Sequence, residues 1–519
     1  MKAHIVGGGF GGLAAAAYLI RNAGVSGKDI IIYEAERQMG GGFFLGGTAE
    51  TGYNLPGSVF DDKFVCAFDL LQGIPSTLNP DISVKDEFFT FNDREMFQDR
   101  VHIIDRNGAV LRRPHFGLNM RDAFDLVKLA LTPESHLDGR LIKEFFREEF
   151  FDTEFWWLWS TIMGSLPEHS AAEFRRYMNR ALGLFPDLSD MKHILRTPVC
   201  QYQTFIEPLV AWLRPRGVNF LAGAFVRDFG LDPAPDRITV NRIDFEQDGA
   251  AQSAVIGPED IVLATLGSQV ENMSVGSMKE PPIPQTAGRS SALWRRLAEK
   301  RPGFGNPELY FGPQKPTSRW VSFTVTTTET SFVDQLSKLT LSKPGLGGLL
   351  TMKDSGWVLS VTIFHQPEVI GQPPGTHVWW GYGLYPERNG DFVKKRMDAC
   401  TGEEILSEVL QQLRFDQKEE IMASSICIPC DMPFVNNIWL PRGRADRPAV
   451  VPEGATNLGL IGQYIEVPKD IAFTIEYSAR TAWEAVHQLL KRGPAPPKVF
   501  QGQFDPKALW GALRVFLFK

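Results

Sequence analysis

The sequence predicts an α/β fold, and three stretches carry that reading. Val6-Gly-Gly-Gly-Phe-Gly-Gly12 joins a short β-type run to an alanine-rich run, Asp29-Ile-Ile-Ile-Tyr33 is a second β-type run, and Asn457-Leu-Gly-Leu-Ile-Gly462 is a third, near the far end of the chain. Short apolar runs alternating with helical segments build parallel sheets.

The first element, Ala3–Val6, is a strand, and Leu13–Ile20 is a helix whose small side chains let it lie close to a sheet. Between them Gly7, Gly9 and Gly12 stand at G-x-G-x-x-G spacing. The first glycine permits the turn and the second lets backbone approach a pyrophosphate. The third lets helix and strand touch, and the helix N-terminus offers oriented N–H groups to the anion. The second strand ends at Glu34, 22 residues beyond Gly12, where a carboxylate accepts hydrogen bonds from adenosine ribose hydroxyls. Strand, glycines, helix, strand and acid together specify a dinucleotide site.

A second glycine group, Gly40, Gly41 and Gly42, follows the acid closely and favours FAD over NAD, because such a backbone lies against the isoalloxazine end of a long cofactor. Strands at Val218–Val226 and Ile261–Gly267 complete this domain. After Gly462, Pro468-Lys-Asp470 starts a helix through Phe473 and Thr474 to about Leu490, with Asp470 as its N-cap. Its dipole stabilises negative charge on a flavin. The expected architecture is a discontinuous Rossmann-like FAD-binding domain (1–85, 200–290 and 445–490), interrupted by a substrate-binding or lid region (86–199 and 291–444). A helical tail (491–519) follows.

Composition narrows the partners. A chain of 519 residues that is 43% hydrophobic is long enough for more than one core, and a formal charge of −7 without a basic stripe argues against nucleic acid. Five scattered cysteines fit a reducing compartment, so the cytoplasm is expected. The glycine triplet breaks what would otherwise read as a signal peptide, and no apolar run is long enough to cross a bilayer. Cys427-Ile-Pro-Cys430 lacks the further ligands zinc requires and reads as buried strand; no metal is expected. His169 reads as a bonded core histidine, and the aromatic run from Phe145 to Trp159 as helical core that also offers a lining for an acyl chain. In the tail, Asp505-Pro506 opens a helix with Leu509, Trp510, Leu513, Phe516 and Leu517 on one face. From Lys491 onward six Lys or Arg face one Asp. Such a helix lies on an anionic membrane surface or docks on its own body. The oligomeric state is expected to be monomer or homodimer.

Several longer motifs now carry a resemblance. Phe64-Val-Cys-Ala-Phe-Asp-Leu-Leu-Gln-Gly-Ile-Pro75, Phe155-Trp-Trp-Leu-Trp-Ser-Thr-Ile-Met163, His169 to Tyr177, Gln201-Tyr202, Met432-Pro-Phe434, Pro441-Arg442 and Gly462 to Pro468 resemble the oleate hydratases, also called the myosin-cross-reactive antigen family. The resemblance implies an FAD-containing enzyme that adds water across a double bond of a long-chain unsaturated fatty acid. It implies that Tyr202 is the proton donor, since a phenol holds its proton at neutral pH. It also implies that Asn436 and Asn437 donate to the fatty-acid carboxylate. One position departs from the family: Val59 stands where a water-activating Glu is expected, and Glu50, Asp61 and Asp62 nearby read as solvated loop acids. A flavin-dependent double-bond isomerase, a lipid oxidoreductase and a lipid-binding flavoprotein without turnover are the competing readings.

Overall fold

The computed structural model describes the chain except residues 58, 96–100, 190, 192–193, 235, 286–287, 290, 342–344, 346–347 and 519, and the side chains of 95, 187, 513 and 515–518. A five-stranded sheet sits under the glycine loop. Its order is Leu458–Ile461, Ile261–Thr265, Ala3–Val6, Ile30–Glu34, Asn219–Ala222, and every pairing is parallel. The first strand occupies the centre because its four residues are buried on both faces, as a parallel sheet flanked by helices demands.

The helix after the first strand spans Phe10–Arg21, three residues earlier than its alanine run suggests, with Gly9 as N-cap. It packs on Ile475–Leu490, so the chain's first helix and the helix that follows its last sheet strand cover the same face of the sheet. That later helix corrects one expectation. Asp470 is not its N-cap: Lys469 adopts a φ of 68° and Asp470 turns inward, placing Oδ2 3.0 Å from the Arg480 guanidinium. The cap is Thr474, whose hydroxyl accepts from the Tyr477 N–H at 3.1 Å. The stretch 218–226 is also not one strand. Gly223, at a φ of 72°, turns the chain out of the parallel sheet into an antiparallel ribbon formed by Ala224–Leu231, Val240–Gln247 and Ala250–Val255.

A second, mixed sheet of seven strands is built around Trp320–Thr327, whose eight residues are all buried between His377–Gly383 and Ser425–Met432. Cys427 and Cys430 lie in the last of these strands, buried and free, as the strand reading expects, and burial pushes both thiols up. The aromatic run is core: Phe150, Phe155, Trp156 and Trp159 are buried against Phe174 and Phe185, and none of the four is on the wall of the large cavity described below. His169 is likewise structural. Its Nδ1 accepts from the Leu166 N–H at 3.0 Å, its Nε2 donates to the Thr317 carbonyl at 2.8 Å, and burial lowers its pKa to about 4.

The tail helix spans Pro506–Phe518, opened by Asp505, whose carboxylate accepts from the Lys507 N–H at 2.8 Å. It packs on the turn Leu182–Asp187, burying Ala508 and Ala512 and leaving Leu509 and Trp510 exposed. The side chains of Leu513, Phe516 and Leu517 lie outside the described residues. No helix among the described residues is long and apolar enough to cross a membrane.

Candidate active site

One cavity of about 1140 Å³ runs from the glycine loop of the five-stranded sheet to the face of the seven-stranded sheet. Its two ends differ chemically.

At the first end, Gly7, Gly9, Glu34, Gly40, Gly41 and Gly42 line the wall, joined by Val226, Gly267, Gly462, Phe473 and Thr474. Gly12 lies behind them. A Cβ there would stand 1.9 Å from the Gly7 carbonyl oxygen, so close contact between helix and turn requires a residue without a side chain. Gly9 bridges to Gly40, so the two glycine groups form one continuous backbone surface. The N-cap Gly9 has no side-chain partner, and the N-terminus of the Phe10 helix therefore presents N–H groups to the cavity. Glu34 braces this surface from below: its Oε2 accepts from the Gly8 N–H at 2.6 Å and its Oε1 from the Glu36 N–H at 2.8 Å. Burial raises the Glu34 pKa, with these N–H donors opposing it. Each oxygen keeps a second lone pair for a ribose hydroxyl. Anion cradle, ribose acceptor and a second backbone platform fit a long dinucleotide.

At the second end the wall is mostly apolar, with Met163, Leu184, Ile194, Ile363, Phe364 and Trp380, and carries a few polar side chains. Tyr177, Arg180, Ala181 and Leu184 enter it from one helix and its continuing turn at i, i+3, i+4 and i+7. Val59 is also on the wall. Asp61, two residues on, is not a solvated loop acid: it is buried, lines the cavity, and is pushed up to about 6 by burial and by its hydrogen bond with Asp62, with Arg180 pulling the other way. Glu50 and Asp62 are exposed as expected.

Tyr202 opens a π-type helical turn, Tyr202–Ile206, and is half-buried. Its ring lies against Gly40: a Cβ on that glycine would come within 3.3 Å of Tyr202 Cδ2 and Cε2. Gln201 and Gly40 line the cavity, whereas Tyr202 backs the glycine platform and is not among the lining residues. Asn436 and Asn437 are not at the cavity at all, which corrects their expected role. The Asn436 amide donates to the Gly164 carbonyl at 2.8 Å and the Asn437 amide to the Tyr310 carbonyl at 3.0 Å, while Tyr464 donates its hydroxyl to Asn437 at 2.8 Å. Both side chains are fully buried and hold loops together.

The fold and this cradle define a dinucleotide-binding protein with an apolar chamber beside the nucleotide. The chain belongs to the MCRA family, whose model matches residues 1–487. It is 31% identical to an oleate hydratase of Streptococcus pyogenes serotype M49 (strain NZ131) over an alignment of 525 positions, covering 98% of this chain and 88% of that protein. A linoleate hydratase of Lactiplantibacillus plantarum is 30% identical, with 92% of each chain covered. Among solved structures, cyclohexylamine oxidase from Brevibacterium oxydans superposes with a TM-score of 0.55 at 15% identity, covering 94% of this chain and 98% of that one. An oxidoreductase from Methanosarcina mazei superposes at 0.53 and 13%, covering 95% and 100%. These two share the fold.

Proposed function

We propose that this protein is an FAD-containing hydratase that adds water across a carbon–carbon double bond of a long-chain unsaturated fatty acid of the oleate type, giving a hydroxy fatty acid. The observation that supports it is a single cavity in which an apolar chamber adjoins the dinucleotide cradle, in a chain whose relatives carry the names oleate and linoleate hydratase. Gly7, Gly9 and the helix N-terminus would hold the pyrophosphate, Glu34 the ribose, and Gly40 to Gly42, Val226, Gly267, Gly462, Phe473 and Thr474 the flavin end. Reduced FAD, when bound, would supply electron density that stabilises developing positive charge, with no net redox change. The protein excludes bulk water, which strengthens that electrostatic effect. Tyr202 donates the proton in this reading, which requires its hydroxyl to enter the chamber from behind Gly40.

The experiment is incubation with FAD, reductant and oleate in heavy-oxygen water. A hydroxylated product carrying the label is expected. Tyr202→Phe is expected to reduce it at least about 100-fold while the yellow flavin spectrum stays intact; retained activity removes Tyr202 from the mechanism. Val59 on the cavity wall, in place of a carboxylate, favours a second reading as a double-bond isomerase or lipid oxidoreductase. A product of unchanged mass with a moved double bond, or one lacking two hydrogens, would establish it.

The lipid would be drawn from an anionic membrane surface. Besides Leu509 and Trp510 on the tail, the helix Met120–Leu131 exposes Met120, Phe124, Val127 and Leu131 in one row beside Arg121 and Lys128. Both helices adjoin the turn Pro114–Gly117. Deleting 498–519 is expected to lower binding to anionic liposomes more than it lowers FAD content. Phe124→Asp in that background should lower liposome binding further, and unchanged binding in both would remove the membrane from the proposal.

A further inference from the structure

Two residues on the cavity wall each carry a buried acceptor oxygen without a hydrogen-bond partner. Gln201 and Glu368 are each 2% exposed, both line the wall, and neither Gln201 Oε1 nor Glu368 Oε1 has a hydrogen-bond partner. The backbone holds the two segments together. The Cys200 N–H donates to the Glu368 carbonyl at 2.7 Å, and the Ile370 N–H donates to Gln203 Oε1 at 2.8 Å. Thr197 and His365 line the cavity close by in sequence. Burial raises the Glu368 pKa well above the usual carboxylate range, which favours its protonated form.

A buried acceptor without a donor bears its full desolvation cost, so each of these oxygens calls for a donor-bearing ligand. A hydrocarbon chain has no such donor, and a fatty-acid carboxylate has none at neutral pH. Water has two O–H groups, one for each oxygen, which leaves its lone pairs free to face a third group. We propose that Gln201 and Glu368 seat the water that adds to the double bond and that Glu368 relays its proton. The inference rests on the hydratase reading above and supplies the function that Val59 cannot.

The step balances as follows. The proton donor, Tyr202 in that reading, transfers a proton to one alkene carbon and is left as phenolate, and the other carbon becomes electron-deficient. A water lone pair forms the carbon–oxygen bond there. One water O–H bond breaks, its electron pair stays on oxygen, and the proton passes to Glu368 Oε1. The proton already on the other carboxyl oxygen leaves for the phenolate, a transfer in the favourable direction because a phenol is the weaker acid. Alkene and water become alcohol, and both side chains are restored.

Glu368→Gln tests this, since the amide keeps the size and the acceptor oxygen but has no carboxyl proton to relay. In holoenzyme supplied with oleate in heavy-oxygen water, its turnover is expected to fall about 100-fold or more, with FAD content and the affinity for stearate, which has no double bond, unchanged. Gln201→Leu is expected to lower turnover as well, through a weaker hold on water. Infrared difference spectra between wild type and Glu368→Gln should show loss of one protonated-carboxyl band. Wild-type turnover by Glu368→Gln, absence of that band, or a loss of turnover confined to Asp61→Asn overturns the assignment. If the wild type itself incorporates no heavy oxygen, the hydratase reading fails and the assignment with it; full hydration by Glu368→Gln sinks the assignment alone.

Discussion

Glu173→Ala is expected to destabilise the protein by about 3–5 kcal/mol, the range for removing one partner from a buried ionic cluster, measured as a shift in the denaturant midpoint. Glu173 lies in the helix Ala171–Ala181 and is almost wholly buried. Its Oε1 accepts from Arg442 Nε at 2.8 Å and lies 3.2 Å from Arg447 Nη1. Arg442 also reaches Glu466 at 3.2 Å, and Arg176 pairs with Glu466 and Glu134. Removing the carboxylate leaves buried guanidinium groups uncompensated in a low-dielectric site. Burial alone would raise the Glu173 pKa, but Arg447, Arg442 and Arg176 override it and bring it to about 2. With a depressed folded-state pKa, the stabilisation is complete above the unfolded value of about 4.5 and is lost as pH falls through about 2. Wild type and Glu173→Ala should therefore differ most near neutral pH and converge in strong acid. A constant difference across that window would show that packing, not charge, carries the contribution.

Gly12→Val is expected to yield protein that purifies without flavin. The first atom beyond Cα already collides with the Gly7 carbonyl, a backbone atom that cannot move without opening the turn. Overpacking at such a position costs about 1–3 kcal/mol or more, and the displaced turn is the anion cradle itself. Gly73→Ala is the control, because Gly73 does not line the cavity, a Cβ there meets nothing closer than 3.7 Å, and its φ is not left-handed. It should retain the cofactor. Flavin absorbance per mole of protein measures both, and equal flavin content in the two variants would detach the close packing at Gly12 from nucleotide binding.

The parts of the site legible in the sequence are those set by local backbone demands. Gly7, Gly9, Gly12 and Glu34 are spaced by a turn, a helix and a strand, so their chemistry follows from their order along the chain. Tyr177, Arg180, Ala181 and Leu184 carry a helical period that identifies a shared face, though not the cavity it meets. Asn436 and Asn437 were not legible, because the carbonyls that engage their amides belong to Gly164 and Tyr310, far away in sequence. Asp470 has the composition of a cap, but its burial against Arg480 decides otherwise. Glu368 sits in a loop with no periodic signal, and its significance arises only from what surrounds it. The position of Tyr202 behind Gly40 likewise depends on how the second glycine group folds over the first.

The five-stranded sheet has a consequence for how the protein is made. Its central strand, Ala3–Val6, is synthesised long before one of its edges, Leu458–Ile461. Until that edge emerges from the ribosome, Ile261–Thr265 presents an unsatisfied row of N–H and C=O groups, the kind of border that recruits other chains. A product interrupted anywhere before residue 458 would lack that edge and be a candidate for chaperone retention or degradation.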